Sequence, residues 1–325
     1  MMTTVVGNYP KVAERAYGTR LKWQRQELAG PQLEEVYRDV TRAVIREQEA
    51  AGVDLLTDGQ IRWDDLLRPF ASGLDGFEID GLTRWFNNNV LYRRPILRRK
   101  PSWKGPILVA DYRFAASCTG RPVKVVLPGP YTFAALSEDR VYRRLRPFAM
   151  RLAELLHEEA AALAAAGAPF IQFDEPAVGF GPLPGAGKTD LKLAVDALTV
   201  AVRGLKAKTG VTLYFGSLDG ALPRLQRTPV TTIGVDVVSD PDNLKAVLRT
   251  RITKELTLGC LDARNTKLES ARDLHRLFDA LKRRIPLDRV AVSPNCGLEF
   301  LPHPQAVAKV RRLVDAVRTY RSGGR

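Results

Sequence analysis

Two adjacent carboxylates at the end of a buried strand are the residues of this chain best placed to do chemistry. Asp174 and Glu175 follow the apolar run 170–173, and Pro176 then ends the strand. A short apolar run of this kind is typical of a parallel strand that is covered on both faces. Carboxylates in such a place can transfer protons or bind a substrate amine. The alternative is that Asp174 only caps the next helix or turn.

Polar residues recur where the other strands are predicted to end. They are Gly7 and Asn8, Asp58 and Gln60, Tyr214 and Phe215, Asp236, Asp262 with Arg264, and Cys296. In a barrel of parallel strands these positions share one mouth. A ring of acids there must meet cations, hydrogen-bond donors or substrate amines, or have raised pKa values. At least two of these acids are expected only to cap helices.

Strand and helix patterns alternate along the whole chain. The predicted strands are 3–7, 53–57, 123–127, 170–173, 211–215, 232–235, 256–260 and 290–292, and the longer predicted helices are 31–51, 138–166, 191–208 and 304–320. Eight strands that alternate with helices predict an α/β fold, a (β/α)8 TIM barrel, with residues 1–325 as a single domain. Whether Cys260 on the seventh strand faces the barrel interior depends on a register that sequence leaves open.

A long segment after the second predicted strand breaks the alternation. Residues 58–120 read as an irregular, lid-like insertion, because a loop this long inside a domain is usually functional or has its own elements. The segment contains Trp85 and a dense basic cluster: Arg93, Arg94, Arg98, Arg99, Lys100 and Lys104. Two interpretations stay open for this cluster, a solvated loop and a rim that binds an anion.

Composition narrows the class of protein. The 325 residues are 45% hydrophobic and 26% charged, which is ordinary for a globular chain. The net charge of +14 would suit an anionic ligand, but no zinc-finger or RNA-binding signature is present. Three cysteines without a CxxC pair argue against a disulfide framework. With no signal peptide or membrane-spanning stretch, the expected location is the cytoplasm.

Several motifs in order resemble one known family. They are Gly7, Asp58-Gly59, Asn89 through Arg93-Arg94-Pro95, Gly129-Pro130, Ile171-Gln172-Phe173-Asp174-Glu175-Pro176 and Ser293-Pro294-Asn295-Cys296-Gly297-Leu298. The pattern resembles the catalytic barrel of cobalamin-independent methionine synthase over nearly the whole chain. The resemblance implies a TIM barrel that transfers a methyl group from a folate or another carrier to the thiol of homocysteine.

The resemblance also implies a zinc ion that activates the thiol, and here the sequence departs from the family. The family's ligands are a His-x-Cys pair, a glutamate and a cysteine. The matching positions hold Thr212, Tyr214, Asp236 and Cys296. Threonine and tyrosine are poor zinc ligands beside imidazole and thiolate. Only Cys296 and Asp236 stay as metal candidates, and zinc is expected to bind weakly if at all.

Further departures lie at the family's other site positions. Gln60 replaces a carboxylate that helps to bind the amino-acid ammonium, Arg264 replaces a histidine thought to donate a proton, and Leu136 replaces a tryptophan of the folate site. Asp174, which matches the other amine-binding acid, and Glu175 are kept. From the strand-end positions and the resemblance together, we predict catalytic roles for Asp174, Glu175, Asp262 and Arg264. We predict substrate binding by Gly7, Asn8, Asp58, Gln60 and Tyr214.

Three functions are compatible with this sequence. The first is methyl transfer to a thiol or amino acid from an anionic carrier, with a divergent zinc site. The second is metal-free chemistry on the same barrel, such as decarboxylation or C–S cleavage, with Arg264 and Asp174 or Asp262 binding a carboxylate substrate and moving protons. The third is ligand binding without turnover. In all three the partner is a small molecule, with no nucleic acid or membrane, and the oligomeric state is open.

Overall fold

Parallel strands surrounded by helices form the centre of the molecule. The structure is a computed structural model and describes residues 1–11, 15–86, 91–180, 189–218 and 220–323. Its strands are β1 (Met2–Thr3), β2 (Leu74–Arg84), β3 (Leu91–Trp103), β4 (Val125–Pro128), β5 (Glu138–Asp139), β6 (Phe170–Asp174), β7 (Lys208–Leu213), β8 (Thr232–Asp236), β9 (Glu255–Leu261) and β10 (Val290–Pro294). Seven of them form one parallel sheet in the order β1-β10-β9-β8-β7-β6-β4.

Helices cover the outside of this sheet. They are α1 (Arg15–Gln24), α2 (Gly30–Ala51), α3 (Arg68–Gly73), α4 (Val109–Ser117), α5 (Pro130–Ala135), α6 (Leu145–Ala165), α7 (Pro176–Phe180), α8 (Leu191–Val202), α9 (Ala221–Leu225), α10 (Pro241–Arg249), α11 (Ala271–Lys282) and α12 (His303–Arg321). Every residue of β4, β8 and β10 is buried, as parallel strands covered on both faces require. Within the described ranges, no helix combines the length and apolarity that crossing a membrane requires.

The second predicted strand closes the sheet into a barrel without forming a regular strand. Leu55 bridges to Thr4, and Leu56 bridges to Val123, so this segment takes the eighth position between β1 and β4. The Thr57 N–H and C=O instead bond to the buried side chain of Gln48 on α2, at 3.1 and 2.9 Å. The predicted (β/α)8 barrel is therefore confirmed. At its eighth position the Gln48 side chain replaces some of the backbone hydrogen bonds that a neighbouring strand would form with Thr57.

The segment 58–120 is more regular than the sequence predicts. It contains α3, α4 and an antiparallel hairpin of β2 and β3, and β5 pairs in parallel with β3. The basic cluster therefore lies on and just after a strand rather than in an irregular loop. Exposed arginines and two prolines, Pro95 and Pro101, hide the strand pattern of β3 in the sequence. The predicted helix 138–166 is also shorter, because residues 138–139 form β5 and α6 begins at Leu145.

Candidate functional site

Asp174 lies at the C-terminal end of β6 and points into the barrel mouth. Gln172 and Asp174 are two residues apart, so they share the inner face of the strand. Asp174 accepts hydrogen bonds from Gln172 Nε2 at 2.7 Å and from the Tyr214 hydroxyl at 3.1 Å. Burial raises the pKa of Asp174, although these donors and the nearby Lys124 ammonium oppose the rise. Its partners place Asp174 in the mouth rather than at a helix cap.

Glu175 lies beside Asp174 in the chain but meets different partners. Its two oxygens accept hydrogen bonds from the N–H groups of Tyr131 and Thr132, at 3.0 and 2.7 Å. A Cβ at Gly129 would come within 2.0 Å of this carboxyl group, so glycine is required there. Burial raises the pKa of Glu175 to about 7. The contacts of Glu175 are thus with the first turn of α5, and it does not line the mouth pocket described next.

A pocket opens at the mouth beside Asp174. Its cavity volume is about 50 Å³, which is enough for a few water-sized groups. We call it the mouth pocket, and it is lined by Val6, Asn8, Gln60, Asp64, Asp65, Leu66, Trp85, Tyr92, Asp174, Tyr214, Gly297 and Glu299. The structure thus brings together four predicted site residues, Asn8, Gln60, Asp174 and Tyr214.

Among the described residues, three buried polar atoms of the mouth pocket have no protein partner, whereas Asp64 Oδ1 is paired with the Arg20 guanidinium. The three atoms are Asn8 Oδ1, Gln60 Nε2 and Glu299 Oε2. Burial raises the pKa of Glu299 to about 7, and the Lys11 ammonium opposes the rise. Buried polar groups normally have a hydrogen-bond partner, so three such atoms around one cavity indicate a polar ligand. The set holds acceptors for an ammonium group and one amide donor for a carboxylate.

Gly7, after the first strand, and Asp58, after the second predicted strand, shape the pocket through Gln60. A Cβ at Gly7 would come within 3.1 Å of Gln60 Nε2. Gln60 has a φ of 51°, and the Asp58 carboxylate stabilises this turn by accepting the Gln60 N–H at 3.0 Å. Burial raises the pKa of Asp58, which lines a separate small cavity with Asp111. Gly7 and Asp58 therefore position Gln60, and they are not among the residues that line the mouth pocket.

Sequence reasoning missed several residues that line the mouth pocket. Trp85 and Tyr92 come from the β2–β3 hairpin, and Asp65 comes from the loop before α3. Glu299 comes directly after the motif 293–298, and this position next to a family motif is the feature of the sequence that could have identified it as a site residue. Asn89 of the matched motifs lies outside the described residues. The Tyr92 hydroxyl donates to the carbonyl of Leu136 at 2.8 Å. This hydrogen bond connects the hairpin to the barrel at Leu136, the position predicted to belong to the folate site.

The residues at the family's metal positions do not fit a zinc ion. Asp236 accepts four hydrogen bonds, from the N–H groups of Phe215, Val238 and Ser239 and from Asn295 Nδ2, at 2.8–3.2 Å. The Tyr214 hydroxyl is bonded to Asp174, and burial raises the pKa of the Cys296 thiol well above its ordinary value. Within the described ranges, no three His, Cys, Asp or Glu residues are grouped to hold a metal.

Cys260 faces away from these residues. It lines a groove with Asp262, Glu269 and residues of α11, and burial raises the pKa of its thiol to about 12. The side chain therefore points to the helix layer, where it gives Cys296 no second thiolate. This answers the register question that the sequence left open.

Asp262 and Arg264 lie at the rim, outside the set of residues that line the mouth pocket. The Asp262 carboxylate accepts the N–H of Arg264 at 2.9 Å. The Arg264 guanidinium is exposed, donates to Ser239 Oγ at 3.0 Å and lies 5.4 Å from the ring centre of Phe215. Neither side chain contacts Asp174, which is one of the two acids that the predicted metal-free site combines with Arg264; the other is Asp262.

Comparisons with known proteins agree with this fold. The family model described as "Cobalamin-independent synthase, Catalytic domain" matches residues 1–319. A protein named methionine synthase from Sulfolobus acidocaldarius is 30% identical, covering 96% of this chain and 90% of the relative. One of the same name from Saccharolobus solfataricus is 29% identical, covering 98% and 94%.

Solved structures share the architecture. A B12-independent methionine synthase from Shewanella sp. W3-18-1, in complex with selenomethionine, has a TM-score of 0.86 at 22% identity and covers 99% of this chain and 98% of its own. A methyltransferase from Methanosarcina mazei has a TM-score of 0.61 at 16% identity, covering 87% and 86%. At these identities the likeness concerns the fold. Together with the family match over almost the full length, it shows that the chain belongs to the cobalamin-independent methionine synthase family of methyltransferases.

Proposed function

We propose that this protein transfers a methyl group from an organic carrier to the thiol of a small amino acid such as homocysteine, without a zinc ion. One observation supports this above the others, the three unpartnered polar atoms beside Asp174 in the mouth pocket. The structurally similar Shewanella protein is in complex with selenomethionine, the selenium analogue of the methylated product. The proposed substrate is thus an amino acid with a thiol side chain.

The pocket has complementary groups for both ends of an amino acid. Asp174 and Asn8 Oδ1 supply acceptors for an ammonium group, and Gln60 Nε2 supplies a donor for the carboxylate. The Tyr214 hydroxyl fixes the orientation of Asp174 by donating to it. Hydrogen bonds to charged groups are stronger than neutral ones, so an enclosed ammonium at this place would be bound selectively.

Glu299 is the group proposed to activate the thiol. Its buried Oε2 lacks a protein partner, and its pKa of about 7 suits a general base at neutral pH. The S–H proton moves to Glu299, and the sulfur electron pair forms the S–CH₃ bond. The bond between carrier and methyl breaks with its electron pair left on the carrier, which then takes the proton. Zinc has no part in this step, since the residues present do not fit it.

The insertion 58–120 is proposed to act as a lid that receives the carrier. It contains the basic cluster, Arg93, Arg94, Arg98, Arg99, Lys100 and Lys104. The ion pairs of this cluster involve three acids, Asp75, Glu78 and Glu138, so the hairpin has an excess of positive charge. The same hairpin supplies Trp85 and Tyr92 to the mouth pocket. An anionic carrier, such as a folate with a polyglutamate tail, would therefore meet both features.

A second candidate is metal-free decarboxylation or C–S cleavage in the same pocket. The misfit of the metal positions favours it, because such reactions need no zinc. However, Arg264 is exposed and hydrogen-bonded to Ser239 rather than directed at Asp174. A decarboxylation or C–S cleavage mechanism that depends on Arg264 is therefore less well supported than the proposed methyl transfer.

The test is to incubate the protein with L-homocysteine and 5-methyltetrahydrofolate, as the monoglutamate and the triglutamate, and to measure L-methionine by mass spectrometry. Calorimetric titration with L-methionine measures product binding separately. We expect methionine to form and to bind in the presence of a strong chelator. The proposal is wrong if neither amino acid binds, and product formation from S-containing carboxylates without a methyl donor would favour the second candidate.

A further inference from the structure

A buried lysine inside the barrel is connected to the mouth pocket by a continuous chain of hydrogen bonds. Lys124 lies at the start of β4 with 3% of its surface exposed, and its ammonium donates to Gln172 Oε1 at 2.7 Å. Gln172 Nε2 donates in turn to Asp174 Oδ1 at 2.7 Å and to the carbonyl of Val6 at 2.9 Å. The chain thus runs from an ammonium, through one amide, to the carboxylate of the pocket.

The sheet geometry places these three side chains on one face. Val126 pairs with Gln172 and Pro128 pairs with Asp174 in the parallel ladder of β4 and β6. Lys124 is two residues before Val126, so it shares the inner face with Gln172 and Asp174. The charge lies deeper in the barrel than the carboxylate it serves. A ligand in the mouth pocket therefore meets Asp174, whereas Lys124 is not among the residues that line that pocket.

Lys124 and the carbonyl of Val6 together set the direction of the hydrogen bonds, because one only donates to Gln172 and the other only accepts from it. An ammonium has only donors, so it takes the Gln172 carbonyl oxygen and leaves the amide NH₂ to face Asp174. An NH₂ group that faces a carboxyl group favours the ionised form of the acid, because the carboxylate can accept the hydrogen bond that the NH₂ group donates. Without Lys124, only the Val6 carbonyl would keep the amide from turning its oxygen towards Asp174, and this turned orientation would favour the protonated acid. The buried ammonium also attracts the negative charge across the low-dielectric interior.

We propose that Lys124 is a positioning residue for substrate binding, which acts through Gln172 to hold Asp174 as an oriented carboxylate ready for the substrate ammonium. The inference rests on the proposed function for the identity of the ligand, but the link between Lys124 and Asp174 can be tested without any ligand. It gives a role to a buried charge that would otherwise cost stability, since isolated buried lysines tend to lose their proton.

The charges around this pair determine how it responds to pH. Asp174 is influenced by Lys124, by the hydroxyl of Tyr214 and by the carboxyl groups of Glu175 and Glu299. Lys124 also borders two cavities. One contains Asp58 and Asp111, and the other, at the N-terminal ends of the strands, contains Lys208, Glu255, Asp288 and Arg289. Burial lowers the pKa of Lys124, and Asp174 opposes that effect. Replacing Lys124 by a neutral residue removes the positive charge that acts on Asp174, so the pKa of Asp174 should rise.

The experiment compares Lys124→Met with wild type for two ligands that differ only in the ammonium, L-methionine and 4-(methylthio)butanoate. Calorimetry should show L-methionine weakened at least about tenfold and the deaminated ligand changed less than about twofold. Equal weakening of both ligands would mean a merely structural role and would overturn the inference. Lys309→Met is the matched control, because Lys309 is also fully buried but pairs with Glu269 on the outer layer.

A second readout needs no ligand and separates this inference from the proposed function. Infrared titration of the carboxyl bands, with Asp174→Asn to assign the signal, follows the protonation of Asp174. We expect Asp174 to stay protonated to higher pH in Lys124→Met than in wild type, and an unchanged titration would overturn the link. If wild type binds neither ligand, the proposed function fails while this readout still decides the role of Lys124. Should Lys124→Met not fold, Gln172→Met breaks the same chain and should produce the same shift.

Discussion

The two halves of the barrel mouth differ in how their polar atoms are satisfied. Around Asp174, buried atoms of Asn8, Gln60 and Glu299 lack protein partners. In the other half, the Asp236 carboxylate accepts four hydrogen bonds from the protein. Both halves lie at strand ends and both carry an acid, so their sequence signals are alike. The difference shows that an acid at a barrel mouth can be free to bind a ligand or can be fully hydrogen-bonded within the protein. The number of protein donors around the acid decides between these two roles.

Replacing the acid of the open half should have the largest effect on activity. Asp174→Asn removes the negative charge that faces the substrate ammonium, and loss of one partner of a buried charge pair costs roughly 2–5 kcal/mol. We expect kcat/KM for L-homocysteine to fall by about 100-fold or more, measured by steady-state kinetics. Asp242→Asn, on the exposed face of α10, is the control. A loss below about threefold would place the ammonium elsewhere.

Replacing the acid of the saturated half should affect stability instead. Asp236→Ala leaves the N–H groups of Phe215, Val238 and Ser239 without their acceptor. Each unsatisfied buried donor costs about 1–3 kcal/mol, so a loss of about 3 kcal/mol or more in the free energy of unfolding is expected. Urea denaturation measures it, with Asp242→Ala as the control. Unchanged stability together with lost activity would contradict the structural role of Asp236.

Glu299 should make the folded state less stable as the pH rises. Its folded pKa is about 7, against an unfolded value of 4.5. Between these values the folded protein keeps a proton that the unfolded chain releases, so stability is highest below pH 4.5 and falls as the pH rises towards 7. At about 1.4 kcal/mol per pKa unit, this group accounts for a total loss of about 3–4 kcal/mol, of which about 2–3 kcal/mol falls between pH 5 and pH 8.

The Glu299→Gln variant should lack this part of the decline, as measured by urea unfolding at pH 5 and pH 8. Glu154→Gln, on the exposed face of α6, is the matched control. In the kinetics, wild-type activity should fall as the pH drops through about 7, because the proposed base is then protonated. An identical pH profile in Glu299→Gln would exclude Glu299 as the base.

Metal removal should leave both halves of the mouth unchanged. We expect less than about 0.1 zinc per chain by elemental analysis, with or without L-homocysteine, because the donors of Asp236 leave it no free oxygen lone pair for zinc. Activity should change less than about twofold in a strong chelator, and Cys296→Ser should lose less than about threefold. About one zinc per chain would show that the saturated half rearranges into a metal site.

A moderate effect, limited to the anionic methyl donor, is expected for the basic hairpin. Charge reversal at Arg98 and Arg99 should raise the KM for a triglutamyl methyl donor about three- to tenfold at low salt, and high salt should remove the difference. The monoglutamyl donor should be affected less than the triglutamyl donor. Arg283→Glu, at the end of α11, is the control. An equal effect on both donors would mean that the hairpin does not bind the anionic tail.

Much of this protein was accessible from sequence because the signals were local. The alternation of apolar runs and helical periods predicted the barrel, and Asp174 was placed at the mouth by its position after a buried strand. The motifs 171–176 and 293–298 indicated the family. The wrong predictions also had local causes. The charged residues and prolines of β3 hide its strand pattern, and the predicted strand 53–57 is irregular because Thr57 bonds to the Gln48 side chain instead of to a neighbouring strand.

The sequence by itself determined the barrel and the family, and its resemblance to that family predicted that Thr212 and Tyr214 replace the histidine and cysteine ligands. Only the tertiary structure decided where neighbouring side chains point, because a shift of one residue in a strand reverses the face. It separated Asp174 from Glu175, turned Cys260 towards the helices and brought Glu299 into the mouth pocket. It also joined Lys124 to Gln172 across 48 residues of chain, a contact that depends on strand register and cannot be read from spacing.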